Sequence, residues 1–142
     1  MDQQVTGTFD VKLIPEKAGD PQAEAAGLLR MTLDKQFQGP LAAAGQGTML
    51  SVLDREKGSG GYVALERVTG TLKGRKGSFV LQHGATMNRG VADMTVTVVP
   101  DTGTGELAGI TGTMTIRIEG GQHFYDFAYK LEDGQQPGRT KE

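Results

Sequence analysis

YVALERVTGTLKGRKGSFVLQHGATM, residues 62–87, reads as two alternating apolar segments on either side of a glycine- and lysine-rich turn. Alternation with period two around such a turn is the pattern of a β-hairpin. A two-residue turn at Gly74-Arg75 sets Lys73 against Lys76 and pairs Glu66 with His83. The same face then carries Tyr62 with Met87, Ala64 with Ala85, Val68 with Leu81 and Gly70 with Phe79. Opposite them lie Arg67 with Gln82, Thr69 with Val80 and Thr71 with Ser78. One face of a strand shares one environment, so the more apolar set is the buried one. The hairpin thus directs an acid and an imidazole inward, facing each other.

The flanking sequence repeats the theme. VTGTFDVKLI (5–14) alternates Val5, Gly7, Phe9, Val11 and Leu13 with polar residues. LLRMTLDKQF (28–37) turns Leu29, Met31, Leu33 and Phe37 inward and, by the same parity, Lys35. A glycine-bearing strand over about 41–54 carries Met49 and Leu53 on one face. VADMTVTVV (91–99), ITGTMTIRI (110–118) and HFYDFAYKL (123–131) complete eight strands. The last two meet across EGGQ, where a Gly120-Gly121 turn pairs Ile118 with His123, Ile116 with Tyr125, Met114 with Phe127 and Gly112 with Tyr129. QAEAAGLL (22–29) is the one weak helical candidate. Strands without a recurrent helix predict an all-β domain, either a sandwich or, as the better fit, an eight-stranded antiparallel β-barrel. One domain over residues 1–132 is expected, followed by a polar tail, 133–142, expected to be disordered.

Composition removes several function classes. There is no cysteine, hence no thiolate chemistry, disulfide or Cys-ligated zinc. Two histidines, His83 and His123, cannot build a multi-histidine metal site, so neither metal nor cofactor is called for. A net charge of −2 from 15 basic and 17 acidic residues gives no footprint for nucleic acid or an anionic membrane. KGRK (73–76) fits a solvated turn. TGTGELAG (102–109) is glycine-rich, but a strand and not a helix follows it, which argues against phosphate cradling. No G-x-S-x-G elbow is present. The first residues have no signal-peptide pattern and no apolar run nears the ~20 residues of a membrane span, so a cytoplasmic location is the expectation.

The remaining chemistry lies inside the barrel. An ionised carboxylate cannot be buried alone, so Glu66 needs a partner: His83, Lys35 or a tyrosine hydroxyl. Two readings stay open. The polar groups form a satisfied interior ion pair in a barrel filled solid by side chains, as a structural or interaction protein would have. Alternatively, Glu66 and His83 are catalytic acid/base groups or orienting contacts in a cavity for a small apolar or amphipathic molecule. Ligand contacts would then come from the other inward residues, namely Lys35, Met49, Tyr62, Met87, Met94, Met114, Tyr125, Phe127 and Tyr129. Five of the six methionines share inward parity, and methionine suits adaptable pockets as well as irregular cores.

KQFQGPL, YVALERVTGTLKGRKGSFVLQH, VVPDTGTGELAGITG and HFYDFAYKL together resemble a bacterial family, domain of unknown function 3224, over about residues 5–132. The family's fold is similar to the allene oxide cyclase barrel, which also underlies dirigent proteins and looks lipocalin-like. The resemblance implies a barrel with an interior cavity, isomerase- or cyclase-type guidance of apolar molecules, and a homo-oligomer. It transfers no catalytic residue. Glu66, Arg67, His83, Glu106 and Tyr129 fall in the matching motifs without an assigned role.

Overall fold

The computed structural model describes residues 2–15 and 20–131, and the expected tail at 133–142 lies outside the described residues. Each alternating segment becomes a strand: β1 (Asp2–Pro15), β2 (Leu29–Gln38), β3 (Leu41–Asp54), β4 (Ser59–Leu72), β5 (Arg75–Asn88), β6 (Val91–Val98), β7 (Thr104–Gly105), β8 (Thr111–Glu119) and β9 (Gln122–Lys130). All pairings are antiparallel, and β1 closes on β9 to give an eight-stranded barrel, with the two-residue β7 added beside β5. The weak helical candidate yields one short helix, α1 (Pro21–Ala25). Asp20 caps it by accepting from the Ala23 amide. Among the described residues no helix is long and apolar enough to cross a membrane.

The turn of the central hairpin lies one residue earlier than its glycine-lysine pattern suggests. Lys73 and Gly74 occupy it with φ of 49° and 83°, and Leu72 pairs with Arg75. Two consecutive positive φ values make the type I′ geometry whose twist suits a hairpin, and it places glycine second, as in Asn-Gly turns. Glu66 therefore pairs with Leu81, and His83 pairs with Ala64 rather than with Glu66. The correction is a shift of two residues, and two residues is the strand period, so every side chain keeps its face. The expected register across Gly120-Gly121 holds, with Ile118 paired to His123.

The two ends of the barrel differ. At the end bearing the β4–β5 turn, Leu41, Leu72, Phe79, Phe127, Tyr129 and Leu131 fill the interior. The glycine-rich loop between β6 and β8 folds over this end and adds Leu107 and Ile110, each 1% exposed. Toward the opposite end the inward positions lose burial strand by strand. Phe9 is buried, Val11 half-buried and Leu13 exposed; Leu33, Met31 and Leu29 follow the same course. So do Met49, Ser51 and Leu53, then His83, Ala85 and Met87, and then Met114, Ile116 and Ile118. Leu53 reaches 59% exposure and Ile118 63%. Leu13, Leu29 and Leu53, expected in the interior by parity, thus line an open mouth. The barrel is solid in one half and open in the other.

Candidate functional site

Where the two halves meet, three charged or titratable side chains converge. β4 supplies Glu66, β2 supplies Lys35 and β5 supplies His83, all by inward parity. Lys35 Nζ lies 3.1 Å from Glu66 Oε1, and His83 Nε2 lies 2.7 Å from that same oxygen. Glu66 is 0% exposed, and Lys35 and His83 are buried with it. The Lys35 ammonium also sits over the rings of Phe9 and Phe37, at 4.7 and 5.4 Å from their centroids. Cation–π attraction of this kind is strongest where water is excluded.

Burial is the largest single influence on the Glu66 carboxyl and pushes its pKa up. The His83 hydrogen bond, the charges of Lys35 and His83 and the Lys35 hydrogen bond together outweigh it, so the group lies below its ordinary value and is ionised. Burial likewise draws the Lys35 ammonium below its ordinary value, with Glu66 opposing that pull. An ionised Glu66 is an acceptor only, so His83 Nε2 carries the proton and donates it to Oε1. Nδ1 has no hydrogen-bonding partner among the described residues.

The second carboxylate oxygen, Oε2, is fully buried and has no partner among the described residues. It occupies space that Gly45 on β3 leaves open, since a Cβ on Gly45 would collide with it. Gly45 seats the Glu66 carboxylate, at a position that inward parity alone did not single out. Its signal was present in the strand AAAGQGTM, because glycine inside a strand marks a close approach.

The register orders the cluster from floor to mouth. Glu66 and Leu81 form one level, Ala64 and His83 the next, Tyr62 and Ala85 the third. His83 is thus the member of the Glu66–His83 pair nearer the open half. Tyr62 stands half-buried above it. Burial and then the Glu66 charge raise the Tyr62 phenol, which keeps it neutral. His123 is half-buried on the far wall with its ring 5.0 Å from that of Phe9.

The candidate ligand contacts divide between the halves. Lys35, Met49, Tyr62, Met87 and Met94 belong to the cluster or the open half. Met114, Tyr125, Phe127 and Tyr129 are packed in the solid half, where the Phe127 ring stacks between those of Phe79 and Tyr129. Tyr125 has a structural occupation: its hydroxyl accepts from the Leu41 amide at 3.0 Å and faces the Gln38 carbonyl at 3.0 Å, pinning the β2–β3 turn. Gly7 makes room for that hydroxyl, which a Cβ there would strike. A separate hollow of about 440 Å³ spans β1, β8 and β9 at the packed end, lined by Gln3, Thr111 and Lys130 among others, and touches none of the cluster.

The pattern of a family described as "Protein of unknown function (DUF3224)" matches residues 5–129. A crystal structure of a protein with unknown function from the DUF3224 family of Shewanella oneidensis MR-1 superposes with a TM-score of 0.85. That protein is 51% identical, and the alignment covers 94% of this chain and 100% of that one. No curated protein matches the chain.

Proposed function

This chain belongs to the DUF3224 family, and we propose that it binds a small apolar or amphipathic molecule in the open half of its barrel, with the molecule's polar end at His83. The observation that carries the reading is the exposed inward series. Leu13, Leu29, Leu53, Met87, Met94 and Ile118 face the interior yet remain exposed, and an apolar concavity of this kind is stabilised by an apolar occupant. No inward position of the mouth carries a full charge until the cluster is reached. An occupant therefore meets an apolar wall and one polar floor.

The floor supports acid/base chemistry as well as binding. Glu66 orients the His83 ring through Nε2 and is itself held by Lys35, which leaves Nδ1 as the ring nitrogen available to an occupant. Proton transfer on a bound apolar molecule, as in an isomerisation or cyclisation, is the reaction this arrangement suits. It is also the kind of chemistry that the resemblance to allene oxide cyclase barrels implies. The rival reading, a structural protein with a closed polar core, draws on the complete burial of Glu66.

Binding of the neutral fluorescent probe N-phenyl-1-naphthylamine separates the two. Wild type should enhance its fluorescence. Met87→Asp and Met94→Asp, at inward positions already 41% and 40% exposed, should fold normally. Each should weaken binding about tenfold or more, because an unpaired carboxylate then borders the apolar wall. Val63→Asp, on the outer face of β4, should leave binding unchanged. No fluorescence rise at the solubility limit of the probe, or equal binding by all four proteins, rejects the interior site.

A further inference from the structure

The barrel wall is zipped unevenly. β5 and β6 share a continuous register from Leu81↔Val98 to Asn88↔Val91, and β8 and β9 share one from Thr111↔Lys130 to Glu119↔Gln122. Between β6 and β8 a single pair, Thr97↔Thr113, joins the sheet. From that pair toward the mouth, residues 91–96 and 114–119 run side by side without another paired residue. The inner rim of this seam is apolar, with Ala92 and Met94 facing Ile116 and Ile118. The outer rim carries Asp93, Thr95, Thr115 and Arg117.

Charge placement favours the unzipped state. Continuing the antiparallel register from Thr97↔Thr113 would bring Asp93 opposite Arg117. Arg117 is engaged elsewhere: its Nε donates to Asp126 at 3.0 Å, its Nη1 to Glu119 at 2.9 Å, and its guanidinium lies 4.8 Å from the Phe124 ring. These contacts hold it on the β8–β9 hairpin, away from β6. Asp93 makes no ion pair among the described residues.

We infer that the β6–β8 seam is a lateral port through which an elongated apolar molecule passes into the open half. The inference rests on the interior-binding reading and adds its route. The apolar inner rim contacts the body of the molecule, while the polar outer rim and the free strand edges stay hydrated. Passage along the seam leads from Met94 and Ile118 to the level of Val96 and Met114, beside the cluster.

Because the protein has no cysteine, the port can be locked cleanly. Thr95 and Thr115 are opposite in the continued register, and Thr95→Cys with Thr115→Cys can form a disulfide that draws the seam shut. Stopped-flow association of N-phenyl-1-naphthylamine should slow about tenfold or more in the oxidised variant and recover on reduction. Amide exchange supplies a second reading on wild type: amides of 92–96 and 115–118 that point into the seam should exchange far faster than those paired between β8 and β9. Unchanged association in the oxidised variant, or seam amides as protected as those of the β8–β9 ladder, overturns the port while leaving interior binding intact. A wild type that binds no probe removes both.

Discussion

Glu66→Leu is expected to lower the melting temperature by roughly 10–15 °C, taking about 3–5 kcal/mol for a buried ion pair broken on one side and ~3 °C per kcal/mol for a chain of this size. The substitution strands the Lys35 ammonium under Phe9 and Phe37 and leaves His83 Nε2 without an acceptor. Adding Lys35→Met to Glu66→Leu should recover at least half of the loss, since removing both charges is far less costly than removing one. The effect has a definite pH dependence. The folded-state value of Glu66 lies below its unfolded one, so its contribution is complete above the unfolded value of about 4.3 and fades as pH falls through the folded value. The gap between wild type and Glu66→Leu should therefore narrow in acid. Equal melting of the two proteins at pH 7, or a gap that widens below pH 4, contradicts the assignment.

Gly45→Ala should be nearly as damaging. The added methyl occupies the place of Glu66 Oε2, and the carboxylate that must move is held by Lys35 and His83. Overpacking alone costs about 1–3 kcal/mol, and displacing the carboxylate from its two donors adds to it. The diagnostic is a double-mutant cycle with Glu66→Ala, which vacates the contested space. Coupling of more than about 1 kcal/mol is expected, because the two residues contact one another. Additive melting shifts would mean that the glycine matters for strand geometry alone and not for seating the carboxylate.

The barrel was legible from alternation because each strand has one face inside, and parity survives small errors of register. The hairpin shows this directly. Placing the turn at Gly74-Arg75 misassigned every partner of β4 and β5, yet Glu66, His83, Ala64 and Tyr62 all kept the inward face. Lys35 was legible by the same parity, as the odd polar residue among Leu33, Met31 and Phe37. What parity could not provide was depth along the barrel axis. Met94 and Met114 are equivalent as inward methionines in sequence, but one borders the mouth and the other is packed in the solid half. Depth depends on how the loop carrying Leu107 and Ile110 folds over one end, a long-range contact that no local pattern reports. The unzipped seam was equally hidden, since β6 and β8 each alternate as well as any paired strand.

The claim that the open half is the binding site is tested most directly by methyl NMR with methionine-methyl-labelled protein. Five methionines sit at known depths: Met87 and Met94 exposed and Met31 half-buried along the open half, and Met49 and Met114 buried beside the cluster. Titration with N-phenyl-1-naphthylamine should shift the methyl signals of Met31, Met87 and Met94 most strongly and those of Met49 and Met114 less. Shifts confined to Met114, or no shift at any of the five, would contradict the account.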